Sequence, residues 1–64
     1  MNMEQAVKAM LGGEKVAHES FTPKEWMKIT GCVYEFESGR LCEVVEFWEI
    51  RDHASWQENW RVVA

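Results

Sequence analysis

The opening stretch Asn2–Gly13 places apolar residues at helical spacing and then meets two glycines, so one short helix must form there and nothing helical can run on past it. Asn2 is suited to the N-cap, and Gln5 stands three residues later, the pair that makes a capping box and satisfies two otherwise unpaired backbone donors. Met3, Ala6, Val7, Met10 and Leu11 form one apolar stripe, with Glu4, Gln5 and Lys8 outside it. Gly12-Gly13 supplies the left-handed stop. Such a stripe needs a partner surface, and the rest of the chain must provide it.

From Glu14 onward the period is that of extended chain. Lys15–His18 reads as a short strand, and Phe21-Thr22-Pro23-Lys24 as a turn made rigid by Pro23. In Trp26–Thr30 the side chains alternate, with Trp26, Lys28 and Thr30 on one side and Met27 and Ile29 on the other. Gly31 permits a bend. Cys32–Phe36 and Leu41–Phe47 are rich in β-branched and aromatic residues around Ser38-Gly39, which predicts a hairpin. A two-residue loop would pair Phe36 with Leu41 and Glu35 with Cys42, placing Cys32, Tyr34, Phe36, Leu41, Val45 and Phe47 on the core face. Trp48–Gln57 breaks the alternation and reads as a loop with a helical turn, and Trp60–Val63 closes the sheet. The expectation is a single α+β domain over residues 1–64, its N-terminal helix packed on a small antiparallel β-sheet of about four strands.

A chain of 64 residues buries only about 60% of the surface its unfolded form exposes. Disulfides, a metal or self-association commonly compensate. In the expected hairpin Cys32 and Cys42 point to opposite faces of the sheet, so both are read as reduced, small apolar residues. His18 and His53 share no ligand spacing with them, and no metal or cofactor is expected. Self-association is left, and four tryptophans favour it, because indoles concentrate in the desolvated centres of interfaces. The partner expected first is therefore a second copy of the chain. A formal charge of -4 disfavours direct nucleic-acid binding. No apolar run approaches the roughly 20 residues that span a bilayer, and the start does not resemble a signal peptide, so no membrane contact is expected and a cytosolic setting is.

The residues that could carry a function are few. Trp26 and Trp48 each stand among charged residues and suit either stacking on a nucleobase or covering a subunit interface; Trp60 belongs in the core, and Trp56 fits either role. Arg51 and Arg40 are the cations suited to a phosphate, since guanidinium offers a planar fork to two oxygens. Asp52 or Glu49 could accept from ribose hydroxyls. His53 follows Asp52, but no Ser or Cys nucleophile is placed to use it, and no catalytic residue is assigned. The acids Glu35, Glu37, Glu43, Glu46, Glu49 and Asp52 concentrate between residues 35 and 52, either as a solvated face or as carboxylates offered to a basic protein.

Four segments carry a likeness beyond these patterns: Glu4-Gln5-Ala6-Val7-Lys8-Ala9-Met10, Gly13-Glu14-Lys15-Val16, Trp26-Met27-Lys28-Ile29 and Glu58-Asn59-Trp60-Arg61-Val62-Val63. In this order they resemble a family of small phage-borne domains that includes the second Thoeris anti-defence protein, a sponge for signalling nucleotides. The resemblance spans nearly the whole chain. It implies an N-terminal helix on an antiparallel sheet, assembly into homo-oligomers and ligand pockets between subunits. It further implies an accessory protein acting without turnover in the cytoplasm of an infected bacterium, sequestering a cyclic ADP-ribose-type nucleotide. For such a ligand the side-chain chemistry set out above makes Trp26, Trp48, Arg51 and Asp52 the expected ligand residues. The competing expectation is an acidic inhibitor of a basic host defence protein, such as a nuclease.

Overall fold

The N-terminal helix α1, Met3–Leu11, is bounded at both ends by the chemistry its sequence announces. In a computed structural model describing residues 1–64, Asn2 Oδ1 accepts from the Gln5 amide at 2.8 Å, and Gln5 Oε1 accepts from the Asn2 amide at 2.9 Å. Both arms of the capping box are present. At the other end the Glu14 amide reaches the Ala9 carbonyl and the Gly13 amide the Met10 carbonyl, the paired bonds of a Schellman stop, with Gly13 at φ 92°. Ala6 and Met10 are buried from the helix. Leu11, expected in the stripe, is 71% exposed, because the chain is already turning away there.

Five antiparallel strands follow: β1 Lys15–His18, β2 Met27–Thr30, β3 Val33–Phe36, β4 Leu41–Glu43 and β5 Trp60–Val63. Their order across the sheet is β4-β3-β2-β1-β5. The sheet's inner face carries Val16, Met27, Tyr34 and Trp60, and against it pack Ala6 and Met10 of α1 and Phe47 of a second helix. All regular helices thus lie on one side. This is the α+β arrangement anticipated, with one strand more than about four.

The β3–β4 hairpin differs from the sequence reading. Glu35 pairs with Leu41, Tyr34 with Cys42 and Val33 with Glu43, one residue out of the expected register. The loop holds three residues, Glu37-Ser38-Gly39, because Gly39 takes φ 86° and the Phe36 amide bonds to the Arg40 carbonyl rather than pairing onward to Leu41. With a side-chain period of two, a one-residue slip reverses a strand's faces. Cys42 therefore packs beside the core, whereas Leu41 is 64% exposed.

The second correction lies just beyond. Leu41–Phe47 is not one strand: β4 stops at Glu43, and α2 runs over Val44–Glu49. Val44, Phe47 and Trp48, at helical spacing, face the core, while Val45 points to solvent at 69% exposure. The local bias of two valines toward strand is overridden by that tertiary burial. A short 3₁₀ turn, η1, Ala54–Gln57, supplies the helical turn expected in the Trp48–Gln57 segment.

His18 is the one polar side chain buried in the interior, at 1% exposure. Its Nε2 lies 2.8 Å from the Ser55 carbonyl, and its Nδ1 accepts from the Ser20 amide at 3.0 Å. A carbonyl only accepts and an amide only donates, so the proton sits on Nε2. The ring lies 4.1 Å from Trp56 and 4.9 Å from Trp60, centroid to centroid. It joins β1 to η1 and to the turn at Ser20. No helix is long and apolar enough to cross a membrane.

Candidate functional site

The concave feature of the molecule opens where the β3–β4 turn, the end of α2 and the Pro23 turn converge. Its volume is about 500 Å³. Phe36 and Phe47 lie at its apolar side, Arg40 and Arg51 supply cations, and Glu25 and Glu37 stand with them. Each wall has a local cause. Phe36 ends β3 immediately before the three-residue loop, which delivers Arg40 to the far side of the turn. Phe47 is fixed by burial against Tyr34, with ring centroids 5.2 Å apart and nearly perpendicular. Glu25 is oriented by accepting the Thr22 amide at 3.2 Å.

Arg51 follows the end of α2 and turns back over it. Its Nη1 donates to the Phe47 carbonyl at 3.1 Å, an acceptor left open in the last turn of a helix. Its guanidinium carbon lies 4.0 Å from the centroid of the Phe47 ring and 5.3 Å from that of Trp56, within cation–π range of both. Nε is buried without a hydrogen-bond partner. Buried polar nitrogens are nearly always paired, and this one departs from that rule. The charges in the cleft balance, two guanidinium groups against two carboxylates, while the apolar side offers two aromatic rings.

Comparison of the chain with protein-family models, with curated proteins and with solved structures finds no match in any of the three. The site rests on its own geometry.

The four expected ligand residues do not assemble in one place. Arg51 lies in the cleft. Asp52, next in sequence, is exposed and does not line it. Trp48 turns inward instead: its indole N–H donates to the Tyr34 hydroxyl at 2.8 Å, and its ring meets Phe47 at 4.8 Å and Trp60 at 5.9 Å. Trp26 lies across the sheet. It precedes Met27, whose side chain is in the core, so alternation places Trp26 on the outer face, where Lys15 Nζ sits 4.7 Å and Lys28 Nζ 5.9 Å from its ring centroid. Trp26 and Trp48 therefore cannot clasp one ligand within a single copy.

Arg40 and Arg51, each singled out for a phosphate, are brought together. Phe36, Phe47 and Glu25 were not legible as site residues. The first two carry the apolar signal of any core position, and the third reads as a charge before a tryptophan. Only the closed fold shows that they share a cleft.

Of the titratable groups, Tyr34 has its ionisation clearly displaced: burial pushes its phenol above the ordinary value of 10.0, the Trp48 N–H opposes the rise, and the nearby Cys42 adds to it. The phenol is neutral and acts as a structural tie beneath α2.

Proposed function

We propose that this chain is a binding protein without catalytic turnover, which sequesters a small phosphorylated nucleotide of the cyclic ADP-ribose type in the cleft between the β3–β4 turn and α2. The observation that carries the reading is the Arg51 guanidinium, laid on the Phe47 ring in the same cleft as Arg40. Two planar cations within one concavity suit the oxygens of a pyrophosphate, and Phe36 offers an aromatic surface to a base or ribose edge. Glu25 and Glu37 supply acceptors for sugar hydroxyls. The resemblance of the chain to phage-borne nucleotide sponges supports the setting: an anti-defence protein acting in the cytoplasm of an infected bacterium, as a homo-oligomer.

The test is a thermal-shift panel of cyclic ADP-ribose isomers, ADP-ribose and inorganic pyrophosphate. A ligand that binds only the folded state at about 100 times its Kd adds about 2.7 kcal/mol of stability, which a domain of this size shows as several degrees. Arg40→Ala, at an exposed position, should remove the shift without lowering the melting temperature of the free protein. A panel that leaves the melting temperature unchanged at millimolar concentration rejects the reading.

A second reading, docking onto a basic host defence protein, draws on α2. Glu43, Glu46 and Glu49 are exposed there at three-residue spacing, which gathers them along one side of the helix and its cap. Low-salt capture of a host nuclease that is abolished by Glu43→Lys or Glu46→Lys, with no nucleotide shift, would select it.

A further inference from the structure

The helices cover only one face of the sheet, and the bare face is divided in charge by strand. β2, β1 and β5 lie side by side. Their cations are Lys28, Lys15 and Arg61, and none of the three strands holds a carboxylate. Each cation stands next in sequence to an inward residue, Met27, Val16 or Trp60, so alternation sends all three outward. β3 and β4 reverse the sign, with Glu35 and Glu43 as their charges. A net charge of -4 for the chain therefore conceals a cationic field on half of one face.

Trp26 lies within that field. Continuing the Val16–Met27 pair by one residue sets Trp26 beside Ala17, and Ala17 pairs with Arg61 on its other side. Ala17 is 0% exposed although it faces away from the helices, so its methyl group is covered by the larger side chains beside it. Lys15 Nζ and Lys28 Nζ stand 4.7 Å and 5.9 Å from the centroid of the Trp26 ring. An ammonium group reaches an indole in this way only where the ring is not packed into the core, and Trp26 is only half-buried. Three cations from adjacent strands thus surround one accessible ring, across two strand spacings of about 10 Å.

We infer that this half of the face binds single-stranded nucleic acid, with one base stacked on Trp26 and the flanking phosphates on Lys15, Lys28 and Arg61. Every base has a π-face and every linkage a negative charge, so an open ring among cations suits a single strand of any sequence. The whole-chain charge argues the other way, but its influence is screened beyond a Debye length of about 10 Å at 0.1 M salt, and the cations lie within that distance of the strand. An ammonium group over a solvated ring is weakly held, and exchanges the ring for phosphate oxygens as the base arrives. Glu35, beside Lys28 in the ladder and accepting from Thr30 Oγ1 at 2.8 Å, bounds the track on the β3 side. A duplex fits less well, because its bases are stacked on one another and closed to the indole. None of the four binding residues lines the cleft, so this inference stands apart from the nucleotide reading.

Fluorescence anisotropy with labelled oligouridine and oligothymidine of about 12 nucleotides tests it, a length within the known range of site sizes. At about 50 mM salt both should bind, and a duplex of equal length should bind at least fivefold more weakly. With three phosphates engaged, log K should fall against log salt with a slope of about -2, and Lys28→Gln or Arg61→Gln should each flatten it by about 0.7. Trp26→Leu should weaken binding at least fivefold with the slope unchanged. Should leucine there prevent folding, Trp26→Phe keeps a smaller ring and should bind between the two. No binding at low salt overturns the inference. So does equal binding of the duplex, equal displacement by inorganic polyphosphate and by unlabelled oligouridine, preference for phosphatidylserine vesicles, or indifference to the loss of Trp26. A nucleotide-induced thermal shift in a protein that fails to bind either oligomer would leave the cleft reading standing while this one falls.

Discussion

Trp48 donates its indole N–H to the Tyr34 hydroxyl at 2.8 Å, and that bond ties α2 to β3. Tyr34 is 1% exposed, and burial holds its phenol above the ordinary 10.0. A raised pKa on an acid means that the folded state resists ionisation more than the unfolded state does. Its contribution is complete below the unfolded value and is lost as pH rises from about 10 through the folded value.

The protein should accordingly lose stability on the alkaline side of pH 10, and Tyr34→Phe should flatten that decline. Near neutral pH the same substitution should cost about 1–2 kcal/mol, because the Trp48 N–H loses its acceptor. Melting curves between pH 7 and about pH 11 check both statements. Tyr34 is the only tyrosine, so tyrosinate absorbance follows this group alone. Titration at the ordinary value, with the same alkaline slope in both proteins, would refute the account.

His18 carries a second tie, from β1 to the Ser55 carbonyl and the Ser20 amide. His18→Phe keeps an aromatic ring against Trp56 and Trp60 but strands both backbone groups, at a cost of about 1–3 kcal/mol each where water cannot reach them. His18→Ala adds a cavity and should cost more. Denaturant titration should show the midpoint falling in the order parent, Phe, Ala, with little change in slope. Nitrogen NMR of the parent should find the Nε2-protonated tautomer.

How far the sequence foretold these ties depends on their range. The capping box of Asn2 and Gln5 and the stop at Gly12-Gly13 were readable because each is complete within a few residues. The faces of β2 were readable for the same reason, Met27 inward and Trp26 outward. The hairpin register was not, since Ser38-Gly39 is compatible with a loop of two residues or three, and only packing of Tyr34 and Cys42 beside the core selects the longer one. The helix α2 was hidden beneath the strand propensity of Val44 and Val45. The cleft suffered from both errors. Arg40 moves with the register and Arg51 with α2, so neither could be assigned to the other in advance.

The loop itself gives a sharp test. Gly39 sits at φ 86°, and a Cβ built there meets nothing within 4 Å. Any cost of Gly39→Ala is therefore conformational, about 1 kcal/mol, and not steric. Gly39→Asn should cost less, because asparagine tolerates the left-handed region. If alanine proves neutral by thermal melting, the loop does not hold the three-residue form, and the cleft loses the wall that carries Arg40.

Arg51 separates binding from stability most directly. In the free protein its buried Nε has no partner, a destabilising arrangement on the order of 1–3 kcal/mol, while its carbon stem and guanidinium plane cover Phe47. Arg51→Met preserves an unbranched apolar cover and removes the unpaired donor. It also forfeits the bond to the Phe47 carbonyl, which the nearby solvent can replace. The two changes oppose each other, so the melting temperature should stay within a few degrees of the parent. Affinity for a phosphorylated nucleotide should fall at least tenfold, since a charge-assisted hydrogen bond contributes about 1.5–3 kcal/mol. Calorimetric titration alongside the melt resolves the two effects. A variant that melts far below the parent yet binds equally well would make the guanidinium a structural strut, and the cleft would then have no cation of its own beyond Arg40.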